Sequence, residues 1–172
     1  MRTQYQRLEQ AFGEHVDNLI ARIPSEGVVD LQPLFFALTL DTTTALLLGD
    51  SVYSLRADRD QAGRNREFAE SFNIAQEGLA KRFRLAPFHF VYNPASFRKA
   101  CQNVHRFVED YIKERGIGRG ESDRKDETAE DSFTFIDQIA VESVSDTQLR
   151  DQLLNVLLAG RDTTACCLSW VL

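Results

Sequence analysis

Cysteine and histidine are scarce in this chain, and neither is grouped: Cys101, Cys166 and Cys167 include no Cys-x-x-Cys pair, and His15, His89 and His105 each stand alone. That excludes a zinc ribbon or finger, so the expected metal-ligand set within these residues is none. An odd number of cysteines also argues against a disulfide framework and for a reducing compartment. Basic stripes are missing too. With a net charge of −6 and a pI near 5.1, the overall field repels nucleic acid and anionic lipid, and no nucleic-acid partner is expected. The opening stretch MRTQYQRLEQ has no apolar core, so it reads as neither a signal peptide nor a membrane anchor; any anchor of the natural protein is expected outside these residues.

What is present suits a globular chain: 172 residues, 43% hydrophobic and 27% charged, enough for one sizeable core. Apolar residues at Leu8, Phe12, Val16, Leu19 and Ile23 recur at three- and four-residue steps, which predicts an amphipathic helix ended by Pro24. Asp30 then stands as an N-cap before LQPLFFALTLDTTTALLLG, where Pro33 fits a first turn and Gly49 a C-terminus. Its LFFALTL run reads equally as a buried strand. Two further stripes, Phe68 to Phe83 and Phe97 to Ile112, predict two more helices around a turn at Asn93-Pro94. Residues 116–132, GIGRGESDRKDETAEDS, are charged and glycine-rich and read as a solvated linker. FTFIDQIA follows as a short helix or strand, and Ser145 with Gln148 is a capping-box signature for a final helix. The predicted class is all-α.

That final helix contains the informative stretch, LLNVLLAGRDTTACCLSWVL, Leu153 to Leu172. At roughly 100° per residue, Leu149, Leu153, Val156, Gly160, Thr163, Thr164, Cys167 and Val171 fall on one side, with Asp162 opposite. A mid-helix glycine costs about 1 kcal/mol relative to alanine, and each threonine adds a few tenths, so Gly160, Thr163 and Thr164 point to a need for space and hydroxyls. The competing reading makes Gly160 the residue that ends a helix at Ala159, with Asp162 or Thr163 capping a new one. A membrane span fits worse, because Asn155, Arg161 and Asp162 would each carry a penalty of about 2–3 kcal/mol near mid-membrane.

AGRDTT, Ala159 to Thr164, matches the pattern (Ala/Gly)-Gly-x-(Asp/Glu)-Thr-(Thr/Ser) of the cytochrome P450 family. With DLQPLFFALTLDTTTALLLGDSVYSL and LRDQLLNVLLAGRDTTACCLSWVL, the chain resembles the fungal branch of that family that hydroxylates n-alkanes and fatty acids. The resemblance implies the central helical part of the P450 fold across residues 1–172, roughly its middle third, truncated at both ends. It implies haem as cofactor and a monooxygenase activity, with electrons from NADPH through a cytochrome P450 reductase. An aliphatic small-molecule substrate and an endoplasmic-reticulum location on the cytosolic face are implied as well.

Carried onto this sequence, the resemblance makes Thr163 the hydroxyl that bonds oxygen at the haem and organises proton delivery, with Asp162 its acidic neighbour in the relay. Ala159 and Gly160 become the small residues that leave room above the haem plane. The stripes at Phe68 to Phe83 and Phe97 to Ile112 become helices over the substrate channel, with Phe72, Phe88 and Phe90 candidates to line it; periodicity alone makes such aromatics core. Apart from the resemblance, Lys81, Arg82, Arg84, Arg98 and Lys99 read either as a small docking patch for an acidic redox partner or, more plainly, as cations complementing the C-terminus of the third helix and a solvated face.

The family pattern is incomplete here. Its haem ligand is a cysteine in a Phe-x-x-Gly-x-Arg-x-Cys-x-Gly loop, and none of the three cysteines has that setting. The single Glu-x-x-Arg match, Glu121 to Arg124, precedes the motif helix instead of following it, and reads as chance; no Trp-x-x-x-Arg is found. The last helix stops on Ser-Trp-Val-Leu without a stop signal, which reads as a cut. A truncated chain is expected to be inactive alone. The alternative from another class is a non-catalytic all-α fragment or interaction module from a truncated gene model.

Overall fold

A computed structural model describes residues 2–56, 62–114, 136, 139–140 and 145–172, and among them there are helices and no strand. The elements are α1 (Arg2–Ala21), α2 (Leu31–Leu48), α3 (Ala62–Arg84), a 3-10 segment (Ala86–Val91), α4 (Ala95–Glu114) and α5 (Asp146–Val171). The all-α expectation holds. The charged linker at 116–132 lies outside the described residues, as does most of FTFIDQIA, of which Ile136, Ile139 and Ala140 are helical.

Local signals set the ends of these helices. Asp30 caps α2 by accepting a bond from the Gln32 amide at 3.1 Å, and Gly49 ends it at φ 75°, a left-handed conformation open to glycine. The LFFALTL run is therefore helical throughout. Ser145 caps α5 by accepting from the Gln148 amide at 3.2 Å.

By length and composition α2 could cross a membrane, but half of it is buried in the bundle, where it packs on α5 and α1. Its Leu40, Leu47 and Leu48 join Phe68 and Phe72 of α3, Val104 and Ile112 of α4, and Leu149, Leu153 and Leu157 of α5 in the main core. Phe68 and Phe107 stack there with ring centres 4.1 Å apart. A smaller core joins Leu19 of α1, Phe35 and Leu38 of α2, Leu55 and Ala165 of α5. Predicted stripes are only partly buried: Phe12, Ile23, Leu79 and Phe83 are exposed.

The polar run Asp41 to Thr44, which breaks the apolar pattern of α2, ties down the chain that follows the helix. The fully buried Asp41 carboxylate accepts from the Ser54 amide at 2.6 Å and the Leu55 amide at 3.0 Å. Thr44 donates to the Leu40 carbonyl at 2.9 Å and accepts from the Val52 amide at 3.3 Å. Buried backbone amides must find acceptors, and α2 provides them from its own side chains.

Candidate functional site

The helix α5 runs unbroken from Asp146 to Val171, straight through Gly160-Arg161-Asp162-Thr163-Thr164. Gly160 is thus interior to one helix and ends none. The buried side differs from the expected one: Leu149, Leu153, Leu157, Arg161 and Ala165 are buried, one residue every fourth position. Val156 and Gly160 are half-buried, while Thr163, Thr164, Cys167 and Val171 are exposed. A helix that is apolar nearly all round has no self-evident inner face, so its neighbours α2, α3 and α4 choose one. They choose the face carrying Arg161.

The opposite side is open. Asn155, Ala159, Thr163, Cys166 and Trp170 are all exposed at three- and four-residue steps, and so form a continuous strip along α5. On this strip Ala159 offers only a methyl group. One turn on, the Thr163 hydroxyl donates to the Ala159 carbonyl at 2.5 Å. That bond leaves the lone pairs of Oγ1 free to accept a bond from the open side.

Of the four residues singled out from the motif, Ala159 and Thr163 share the open strip and Asp162 stands at its edge, its side chain 35% exposed. The Asp162 carboxylate accepts from Arg161 Nη1 at 2.7 Å. Gly160 is turned away from the strip toward α2, where Thr43 occupies the space that its missing side chain frees. The local role of the glycine is thus to let α2 and α5 approach closely.

Arg161 is the residue that sequence reasoning passed over. Its guanidinium lies over the rings of Phe36 on α2 and Phe72 on α3, and Nη2 donates to Asn73 of α3. Burial pulls its pKa below the ordinary arginine value, with Asp162 opposing that shift. An arginine amid leucines at every fourth position was the available signal.

Phe88 and Phe90 lie together, with ring centres 6.4 Å apart, but Phe72 is not brought to them. Phe72 is core, whereas Phe88 and Phe90 are 63% and 65% exposed in the 3-10 segment. The suggested basic patch is locally engaged: Lys81 pairs with Glu77 at 2.6 Å, Arg82 lies over the Phe97 ring, and Arg98 donates to the Asn93 carbonyl at 2.9 Å. Lys81, Arg82 and Arg84 fall in the last turn of α3, where cations complement the helix dipole. All three cysteines are free; burial raises the Cys101 thiol pKa, and Cys166 and Cys167 are exposed. Among the described residues no group of His, Cys, Asp and Glu could hold a metal ion.

The family model described as Cytochrome P450 matches residues 2–172. The chain is 41% identical over 157 residues to a cytochrome P450 of Arthroderma benhamiae, covering 91% of this chain and 31% of that one. It is 38% identical over 170 residues to cytochrome P450 52A13 of Debaryomyces hansenii, covering 94% and 32%. To cytochrome P450 52A4 of Candida maltosa it is 38% identical over 167 residues, covering 91% and 30%. The chain spans about a third of the length of the curated relatives it matches. No solved structure matches it.

Proposed function

The chain belongs to the cytochrome P450 family, and on that footing we propose that the open strip of α5 forms the oxygen-side wall of a haem-dependent monooxygenase. The observation that carries this reading is the pairing of Ala159 and Thr163, exposed one turn apart on a helix whose other side is core. A flat, largely apolar macrocycle fits against such a surface: at Ala159 nothing larger than a methyl projects, and the Thr163 side chain is compact and bonded back to the helix. Ala159 and Thr163 would pack its face. No iron ligand is assigned among the described residues.

Haem, when bound there, supplies the activation of dioxygen. The residues of this chain deliver protons. Thr163 Oγ1, with its own hydrogen engaged by the Ala159 carbonyl, accepts a bond from a protonated group or water on the strip. Asp162, at the edge of that strip, takes a proton from the outside and passes it inward through water. Gly160 acts indirectly, by setting how closely α5 lies on α2. An aliphatic substrate such as an n-alkane or fatty acid, electrons from NADPH through a cytochrome P450 reductase, and a location on the cytosolic face of the endoplasmic reticulum complete the reading.

The test is product formed against NADPH consumed in the complete haem-loaded protein, with dodecane or lauric acid as substrate. Thr163→Ala should bind substrate as wild type does and lose product per NADPH by ~100-fold or more, the scale of one positioned proton-transfer group. Peroxide should replace the missing product. Equal yields in the two proteins would remove Thr163, and with it this reading.

A further inference from the structure

Arg161 carries a charge into the core, and packing does not explain it. It is 4% exposed, with its guanidinium carbon 4.6 Å from the Phe36 ring centre and 5.2 Å from that of Phe72. Nη2 donates to Asn73 Oδ1, Nη1 donates to Asp162 Oδ1, and Nε has no partner among the described residues. Desolvating a guanidinium is unfavourable even when it is paired, and apolar side chains of similar volume commonly replace a buried ion pair with no loss of stability. Stability alone therefore does not call for arginine here.

What arginine does and methionine cannot do is hold a carboxylate. An unpaired aspartate on a helix surface samples several rotamers. Asp162 is instead gripped by a guanidinium that two aromatic faces and an amide from a second helix already orient. The planar fork matters: Nη2 serves Asn73 and Nη1 serves Asp162 while the guanidinium lies over the rings of Phe36 and Phe72, which a lysine ammonium cannot reproduce.

We propose that Arg161 is a positioning residue, which holds Oδ1 of Asp162 so that Oδ2 faces the open strip beside Ala159 and Thr163, with Asn73 of α3 as the anchor of the arrangement. This deepens the reading of Asp162 as a proton-transfer group and rests on it. It also makes α3 part of the site, since the carboxylate is held from α3 through Arg161.

The experiment compares wild type with Arg161→Met, Arg161→Lys and Asn73→Ala in the complete haem-loaded protein, with the exposed Arg66→Gln of α3 as control. Melting temperature, substrate affinity and product per NADPH are measured. So is the infrared carboxylate band of Asp162 in protein labelled with 13C-aspartate, identified by its loss in Asp162→Asn. Arg161→Met should keep its melting temperature, because the Asp162 carboxylate it leaves is 35% exposed and can be solvated, keep substrate affinity, shift the band, and lower product per NADPH by ~10-fold. Arg161→Lys should recover part of that yield. Asn73→Ala should fall between wild type and Arg161→Met; because Asn73 is exposed, it also carries the test if Arg161→Met does not fold. A band and a yield unchanged in both Arg161→Met and Asn73→Ala overturn the proposal. So does an unchanged yield in Arg161→Met beside an uncoupled Thr163→Ala. A shifted band together with a fully coupled Thr163→Ala supports the positioning of Asp162 and removes the function proposed for the strip.

Discussion

Thr43 of α2 and Gly160 of α5 meet where the two helices cross: a Cβ on Gly160 would lie 3.0 Å from Thr43 Cγ2 and 3.1 Å from its Oγ1. The motif glycine thus has a packing role that can be measured apart from any chemistry. Gly160→Ala gains up to about 1 kcal/mol of helix propensity but crowds a β-branched side chain with little freedom at χ1. The crowding, about 1–3 kcal/mol, should prevail and leave the protein less stable. Thr43→Ala in the same protein should restore stability. A double-mutant cycle by urea denaturation checks this, and additive effects would show that the two residues do not press on each other.

The crossing of α3 and α4 is tighter still. A Cβ on Gly78 would lie 2.1 Å from Cδ2 and 2.6 Å from Cε2 of the buried Phe97 ring. Gly78→Ala should lower stability by about 2–3 kcal/mol, more than helix propensity returns. Adding Phe97→Leu should recover part of the loss, read from the denaturation midpoints.

Asp41 should shape the response to mild acid. Burial lifts its pKa above the usual carboxylate value, against the lowering effect of bonds from the Leu55 and Ser54 amides. The folded state then holds the proton more tightly than the unfolded one. The contribution is full below the unfolded value of about 3.9 and is lost as pH rises through the folded pKa. Asp41→Asn should abolish that part of the slope. It should also cost about 1–3 kcal/mol at pH 7, since an amide oxygen replaces two acceptors that serve two amides. Stability against pH for the two proteins is the measurement.

His15 acts in the opposite sense. Burial lowers its pKa, while Asp41 and Glu14 pull it upward. Its ring lies against Tyr53, with centres 5.6 Å apart, and Nδ1 has no partner among the described residues. The stability contribution is present above the unfolded value of about 6.5 and is lost as pH falls through the folded pKa. His15→Leu should therefore lose less stability than wild type between pH 7 and pH 5. Parallel curves would show that His15 does not titrate on unfolding.

The helices and their ends were legible in the sequence because they depend on neighbours along the chain. Asp30, Gly49 and Ser145 act on backbone groups within a few residues of themselves, so each could be named as a cap before any fold was known. The Ala159 to Thr164 pattern was legible for a similar reason, since spacing on one helix is a local property. Which side of α5 turns inward was not. That helix is apolar almost all round, and its periodicity favoured Gly160 and the threonines, whereas the assembled bundle buries Arg161. An arginine can be buried only where aromatic faces and acceptors are already in place, and Phe36, Phe72 and Asn73 come from two other helices. Asp41 to Thr44 had no visible purpose for the same reason, because the amides they serve and the glycine they face lie elsewhere in the chain. The sequence by itself determined the helices, their caps and the family motif; the tertiary structure decided which faces meet, because a buried polar group is tolerated only where distant parts of the chain bring it a partner.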